Sequence, residues 1–428
     1  MLTSRERVQA TLNHREPDRV PLDLGGTLVT GMNVSVVYAL RQALHLDPPG
    51  TPVKVIEPYQ MLGEIELDLV EALGVDIVGV NPEKGFFGFK NAGWKPWELG
   101  DGTPVLVPAQ FNTELEADGS LYQYPDGDRS ARPSGHMPGG GFYFDAIVRQ
   151  EPIVEANLDP EDNMEEFTHL TDDEVSYFER EVTRLFEHTD KAIVANFGGT
   201  AFGDISMVPA TQLRNPRGIR DIEEWYVSTV KRKDYILKVF ERQCEVGLAN
   251  LEKVYRAVGD RVAVVFVTGT DFGTQNGPFM SVKTYRQMYL PFQKAICDWI
   301  HQHTAWKTFM HSCGSNLPLI PSFIEAGIDI LNPVQWTAAD MDARMLKERF
   351  GDRLVFWGGG VNCQRTLPFG TPEEVYREVQ EHVRIFGPGG GFVFNTVHNV
   401  QPKTPVENVL AMYQAFRQCR TYPMEEQL

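Results

Sequence analysis

Short apolar, β-prone runs alternate with amphipathic helical stretches along most of the chain. The runs fall at residues 19–24, 75–80, 192–197, 262–267, 306–310, 329–334, 354–357 and 392–396. Strands buried on both faces read as continuous apolar runs, and helical stretches between them imply parallel crossovers. Eight such units predict an α/β fold, a (β/α)8 TIM barrel forming one domain over residues 1–428. A doubly wound open sheet is the rival. Its dinucleotide-binding form expects Gly-x-Gly-x-x-Gly after the first strand, and no such motif stands there.

Helix starts are punctuated. Thr371-Pro372-Glu373-Glu374 and Thr404-Pro405-Val406-Glu407 place Thr at a cap, Pro in the first turn and Glu three residues on, and Thr171-Asp172-Asp173-Glu174 resembles them. A hydroxyl that accepts from the third amide, with a carboxylate that reaches back, satisfies two otherwise orphaned donors.

Residues 81–145 break the alternation with Gly, Pro and aromatics. Thr113 to Tyr122 reads as a hairpin turning at Asp118-Gly119. Gly139-Gly140-Gly141-Phe142-Tyr143-Phe144 is a pliant stretch ending in aromatics. We expect a β-rich insertion over the barrel mouth, either a lid or a surface decoration.

Composition narrows the function. Lys+Arg total 40 and Asp+Glu total 58, a formal net charge of −18. Such an acidic chain has no electrostatic attraction to nucleic acid or to an anionic membrane surface. No run is long and apolar enough to span a bilayer, and the first residues do not read as a signal peptide. Five cysteines, an odd and low number, argue for a reducing compartment, so the expected location is cytoplasmic.

In such barrels the chemistry sits where strands end at their carboxyl termini. The most telling stretch is Met310-His311-Ser312-Cys313-Gly314. Residues two apart on a strand point the same way, so His311 and Cys313 project together, an imidazole beside a soft sulfur. Cys363 and His398 close later strands and are further candidate metal ligands. His398 also suits acid/base work. Asp271 and Gln275, in Thr268–Gly277, are candidates for positioning or proton transfer, although an Asp in such a loop commonly caps a turn. Asp23, Asn196, Asn332, Gln335 and Asn395 stand at other strand ends as candidate substrate-binding groups. Cys244, Cys297 and Cys419 fall in helical patterns and read as packing.

Several blocks together resemble a known superfamily. They are Thr3-Ser4-Arg5-Glu6-Arg7-Val8, Asn13-His14-Arg15-Glu16-Pro17-Asp18-Arg19-Val20-Pro21, Asp271 to Gly277, His311 to Gly314, Gly358 through Glu374, and Phe394 through Asn408. The pattern is similar to the uroporphyrinogen decarboxylase superfamily, and more narrowly to its methyltransferase-like branch, over nearly the whole chain except the insertion. The resemblance implies a (β/α)8 barrel. Decarboxylases of this kind carry an Arg-Gln-Ala-Gly-Arg type segment after the first strand, which grips the acidic groups of the tetrapyrrole. Here that place holds Leu22-Asp23-Leu24-Gly25-Gly26-Thr27, with no arginine until Arg41. A polycarboxylate needs cationic partners, so the methyltransferase branch is the closer likeness.

That branch implies zinc held by His-x-Cys and a later Cys, and a corrinoid (cobalamin) carried by a separate protein. His311 and Cys313 match the first two positions. The later Cys aligns with His398, where decarboxylases also have His, and Cys363 is the other candidate third ligand. The resemblance thus implies a zinc-dependent methyltransferase moving a methyl group between a small methylated substrate and a corrinoid protein, with a homodimer as the expected assembly. Phe142, Tyr143 and Phe144 would exclude water. The alternative is a decarboxylase-like lyase acting on a tetrapyrrole or another carboxylic acid.

Overall fold

The computed structural model describes residues 2–424. Seven parallel strands form one curled sheet in chain order: β1 (Ile77–Val80), β2 (Ala192–Ala195), β3 (Val264–Thr268), β4 (Lys307–His311), β5 (Ile330–Asn332), β6 (Val355–Trp357) and β7 (Phe392–Val393). Each overlaps a predicted run. The run expected at 19–24 is not a full strand; it makes one parallel bridge, Leu22 to Phe394. On that side Phe394 N–H donates to Pro21 O (2.9 Å) and Asp23 N–H to Phe394 O (3.0 Å). On the other side Asp76 N–H donates to Leu22 O (2.8 Å). The segment therefore sits between β7 and β1 and closes the cylinder, giving the expected TIM barrel.

Period-2 alternation explains the interior. Ile77, Val194, Val264, Phe309, Ile330, Val355, Trp357 and Val393 form one buried cluster, and Val8 and Leu12 of the helix Ser4–Leu12 cap it. A larger apolar shell lies between the sheet and the outer helices. His311 and Asn332 follow Phe309 and Ile330 by two residues, so the pleat aims them into the barrel at its carboxyl end. Gly79 lets β1 press on the turn after the closing segment: a Cβ there would meet Gly26 O at 2.4 Å.

The predicted capping boxes at Thr171 and Thr371 are both present. The one expected at Thr404 is not. The helix Val406–Cys419 begins after Pro405, and the Thr404 hydroxyl instead donates to Gln401 O (2.7 Å).

The region expected at 81–145 carries six short strands, Lys95–Glu98, Pro104–Val107, Glu114–Leu115, Leu121–Gln123, Gly135–Met137 and Asp145–Ala146. The hairpin around Asp118-Gly119 pairs Glu114 with Tyr122. β structure also starts earlier than expected. Val53–Glu57 pairs in parallel with Pro104–Val107, and Leu62–Gly63 completes that sheet. Tyr59 joins this layer to the sheet that holds Asp145–Ala146: its carbonyl accepts from Phe144 N–H (2.8 Å) and its hydroxyl accepts from Ala146 N–H (3.1 Å). No helix among the described residues is long and apolar enough to cross a membrane.

Candidate metal centre and substrate cavity

His311 ends β4, and Cys313 lies two residues on. His311 Nε2 and Cys313 Sγ are 3.3 Å apart. His398, just past β7, brings its ring centroid to 5.2 Å from that of His311. Ligand atoms of His311, Cys313 and His398 all lie within 4.8 Å of one another. Gly314, at φ +84°, permits this turn, because a Cβ there would come to 2.4 Å from the Gly273 carbonyl carbon.

Hydrogen bonds fix how His311 presents itself. Asn332 Nδ2 donates to Trp357 O (2.9 Å), so its Oδ1 faces the imidazole and accepts from His311 Nδ1 (2.6 Å). The proton is therefore on Nδ1, and the Nε2 lone pair points to the sulfur. A ligating histidine typically has its far nitrogen held this way. His398 Nδ1 accepts from Asn399 N–H (2.7 Å), which orients that ring. Burial lowers both imidazole pKa values to about 4, so both rings are neutral near pH 7. Burial and the Asp271 carboxylate push the Cys313 thiol well up. A buried thiol beside a carboxylate stays protonated unless a cation is close.

This donor set fits zinc. Two neutral imidazoles and one sulfur are three protein ligands of the kind a catalytic zinc site uses, and both histidines line a cavity from which a substrate could reach a metal held there. Asp271 stands alongside, its Oδ1 at 3.9 Å from His311 Nε2 and accepting from Cys313 N–H (2.6 Å).

The cavity, about 420 Å³, is lined by His311, His398, Asp271, Asn196 and Asn399 among others. Tyr143 and Phe144 reach it from the insertion, whereas Phe142 lies outside, beneath Lys403 Nζ at 4.7 Å. No lysine or arginine lines it, and Asp145, Asp204 and Asp271 do.

Other sequence candidates have different places. Cys363 is buried and stands outside the three-ligand cluster; the glycine run before it bends the chain, and Asn362 N–H is tied to Glu378 Oε1 (2.6 Å). Gln275 is exposed on a turn outside the cavity lining and bonds Ala339 N–H only through its carbonyl (2.9 Å). Asp23, expected to bind substrate, lies below the cavity. There it accepts from Trp357 Nε1 (2.8 Å) and Gly26 N–H (2.9 Å), and burial raises its pKa to about 6. Asn395 donates to Asp23 O (2.9 Å) and Thr30 O (3.1 Å) and is likewise spent on scaffold. Gln335 accepts from Gly314 N–H (2.7 Å), holding the turn after Cys313. Asn332 orients His311 and is not in the cavity lining. Asn196 lines the cavity while accepting from Gly198 N–H (3.0 Å).

Sequence reasoning missed Asp204. It lies in an irregular loop after β2, without periodicity to place it; the one signal is its position just beyond the Gly198-Gly199 turn.

If Asn332 sets the tautomer, Asn332→Ala weakens zinc binding by roughly 10–100-fold, the usual cost of losing such a supporting group. Competition with a chromophoric chelator measures this, and unchanged affinity would remove the assigned role.

Fold and site together define a parallel α/β barrel with a metal-capable mouth. A model of the uroporphyrinogen decarboxylase (URO-D) family matches residues 141–419, and the chain belongs to that family. The uroporphyrinogen decarboxylase of Coxiella burnetii (strain RSA 493 / Nine Mile phase I) is 28% identical over 149 residues, 32% of this chain and 37% of that protein. That of Shewanella pealeana is 26% identical over 189 residues, 41% of this chain and 51% of its own length. The chain thus matches between about a third and a half of these relatives. A methyltransferase from Methanosarcina mazei shares the fold over 98% of this chain and 99% of its own, with TM-score 0.53 and 15% sequence identity.

Proposed function

We propose that this protein is a zinc-dependent methyltransferase that moves a methyl group between a small methylated substrate and a corrinoid protein. The observation that carries the reading is the convergence of His311, Cys313 and His398, of which the two histidines line a cavity at the barrel mouth. These three residues would hold the metal. Bound there, zinc supplies Lewis-acid chemistry toward the heteroatom that bears or receives the methyl group.

The chain's own residues do the rest. Asn332 keeps the His311 lone pair directed at the site. Asp271 anchors the loop carrying Cys313 through that residue's amide. Asn196 offers a polar contact on the cavity wall. Tyr143 and Phe144 line the cavity from the insertion and would exclude water from it. The five free cysteines suit a reducing, cytoplasmic setting.

The decarboxylase reading has less support, because uroporphyrinogen is polyanionic and the cavity wall carries aspartates without arginine or lysine. Two measurements test the proposal: zinc content of purified protein, and methyl-cobalt formation with a corrinoid protein and candidate methyl donors. About one zinc per chain and chelator-sensitive methyl transfer are expected. Metal-free protein with full activity, or carbon dioxide released from a carboxylic acid at chelator-independent rates, would overturn it.

A further inference from the structure

Asp204 is 8% exposed and lines the cavity. Its Oδ1 accepts from Ser206 N–H (2.9 Å) and Ser206 Oγ (2.7 Å). Its Oδ2 has no hydrogen-bond partner, and no cationic side chain pairs with it, among the described residues. Because Asp204 lines the cavity, a bound ligand can reach this open acceptor.

The charge balance around it leaves one place to fill. Asp271 stands beside His311 and is engaged by the Cys313 amide, so it belongs to the metal-ligand cluster. Asp204 is then the uncompensated charge of the wall, reinforced by Asp145 at the rim. Burial raises the Asp204 pKa only to about 6, which leaves it ionised near pH 7.

The surrounding surface has matching chemistry. Tyr59, Phe86, Tyr143, Phe144, Phe167 and Phe266 line the same cavity. Aromatic faces attract a cation through the ring quadrupole, most strongly where water is excluded. A neutral ligand would leave the carboxylate unpaired, and an anion would meet like charge.

We propose that the cavity selects a positively charged substrate, a small ammonium cation, with Asp204 as its counter-ion and the aromatic walls as its cage. This rests on the methyl-transfer reading in that the cation would be the methylated substrate; recognition itself is measurable without zinc or corrinoid. Calorimetric titration of the full chain with choline and with 3,3-dimethylbutan-1-ol, its uncharged isostere, is the test. Choline is expected to bind at least about tenfold more tightly, and Asp204→Asn to abolish that preference while leaving the isostere's affinity unchanged. Equal or tighter binding of the isostere, or a preference that survives Asp204→Asn, overturns the proposal. The wild-type comparison decides the matter even if the variant does not fold. A failure here leaves the zinc and methyl-cobalt measurements standing on their own.

Discussion

On the proposed function, Cys313→Ala is expected to abolish zinc retention and to lower methyl transfer by about a thousandfold or more, while the protein keeps its fold. The size follows from what the sulfur does. Metal-derived charge stabilisation is worth several kcal/mol, and each 1.4 kcal/mol is about tenfold in rate. The fold should tolerate the change because Cys313 lies past the end of β4 and outside the hydrophobic core. Its amide, which bonds Asp271, is retained in the alanine variant. Cys363→Ala is the control. Its thiol stands outside the cluster, so zinc content should stay near one per chain. Elemental analysis with parallel rate measurements separates the two variants. If Cys363→Ala empties the site and Cys313→Ala does not, the assignment of the sulfur ligand is wrong.

That contrast shows how far the sequence could be read. His311 and Cys313 were legible because a strand's period of two is a local rule that needs no knowledge of the rest of the fold. The choice between His398 and Cys363 was not, because both follow strands and differ only in how the next loop turns. The Gly358–Gly360 bend, with Gly358 and Gly359 at positive φ, leaves Cys363 next to the cluster but not among the three residues whose ligand atoms converge. The barrel was legible for the same reason as the pair, since each buried strand is a continuous apolar run. Its closure was less so: the segment around Leu22 has an apolar pattern but pairs through one bridge and the backbone of Asp76. Asp23 and Asn395 looked like ligand-binding groups at strand ends, yet their partners are the tryptophan and backbone carbonyls beneath the floor. A polar residue at a strand end can face the mouth or bond its neighbours, and spacing alone does not distinguish these outcomes. Asp204 sits in a loop, where no period applies.

Asp76→Asn should destabilise the protein by about 3–5 kcal/mol, the range for breaking a buried ion pair by removing one partner. Asp76 has a fully buried carboxylate facing two guanidinium groups. Arg7 Nη1 reaches Oδ1 at 2.7 Å and Arg19 Nη1 reaches Oδ2 at 2.7 Å. The same carboxylate accepts from Ser4 Oγ (3.0 Å) and from Leu22 N–H (3.0 Å). It therefore ties the capping helix, the closing segment and the entrance to β1 into one knot. Asparagine keeps the shape but loses the charge and one acceptor, leaving Arg19 without its carboxylate. Arg7 still has Asp18 at 2.7 Å, so Arg19 is the cation left exposed to the penalty. The loss should be only weakly salt-dependent, because the pair is shielded from solvent. Urea unfolding measures it, and a variant within about 0.5 kcal/mol of the parent, the range of an ordinary surface change, would show that the knot does not hold the barrel shut. The consequence reaches the mouth. The closing segment continues into Asp23 and Gly26, below the cavity floor, so loosening the seam should also lower zinc affinity without touching a ligand.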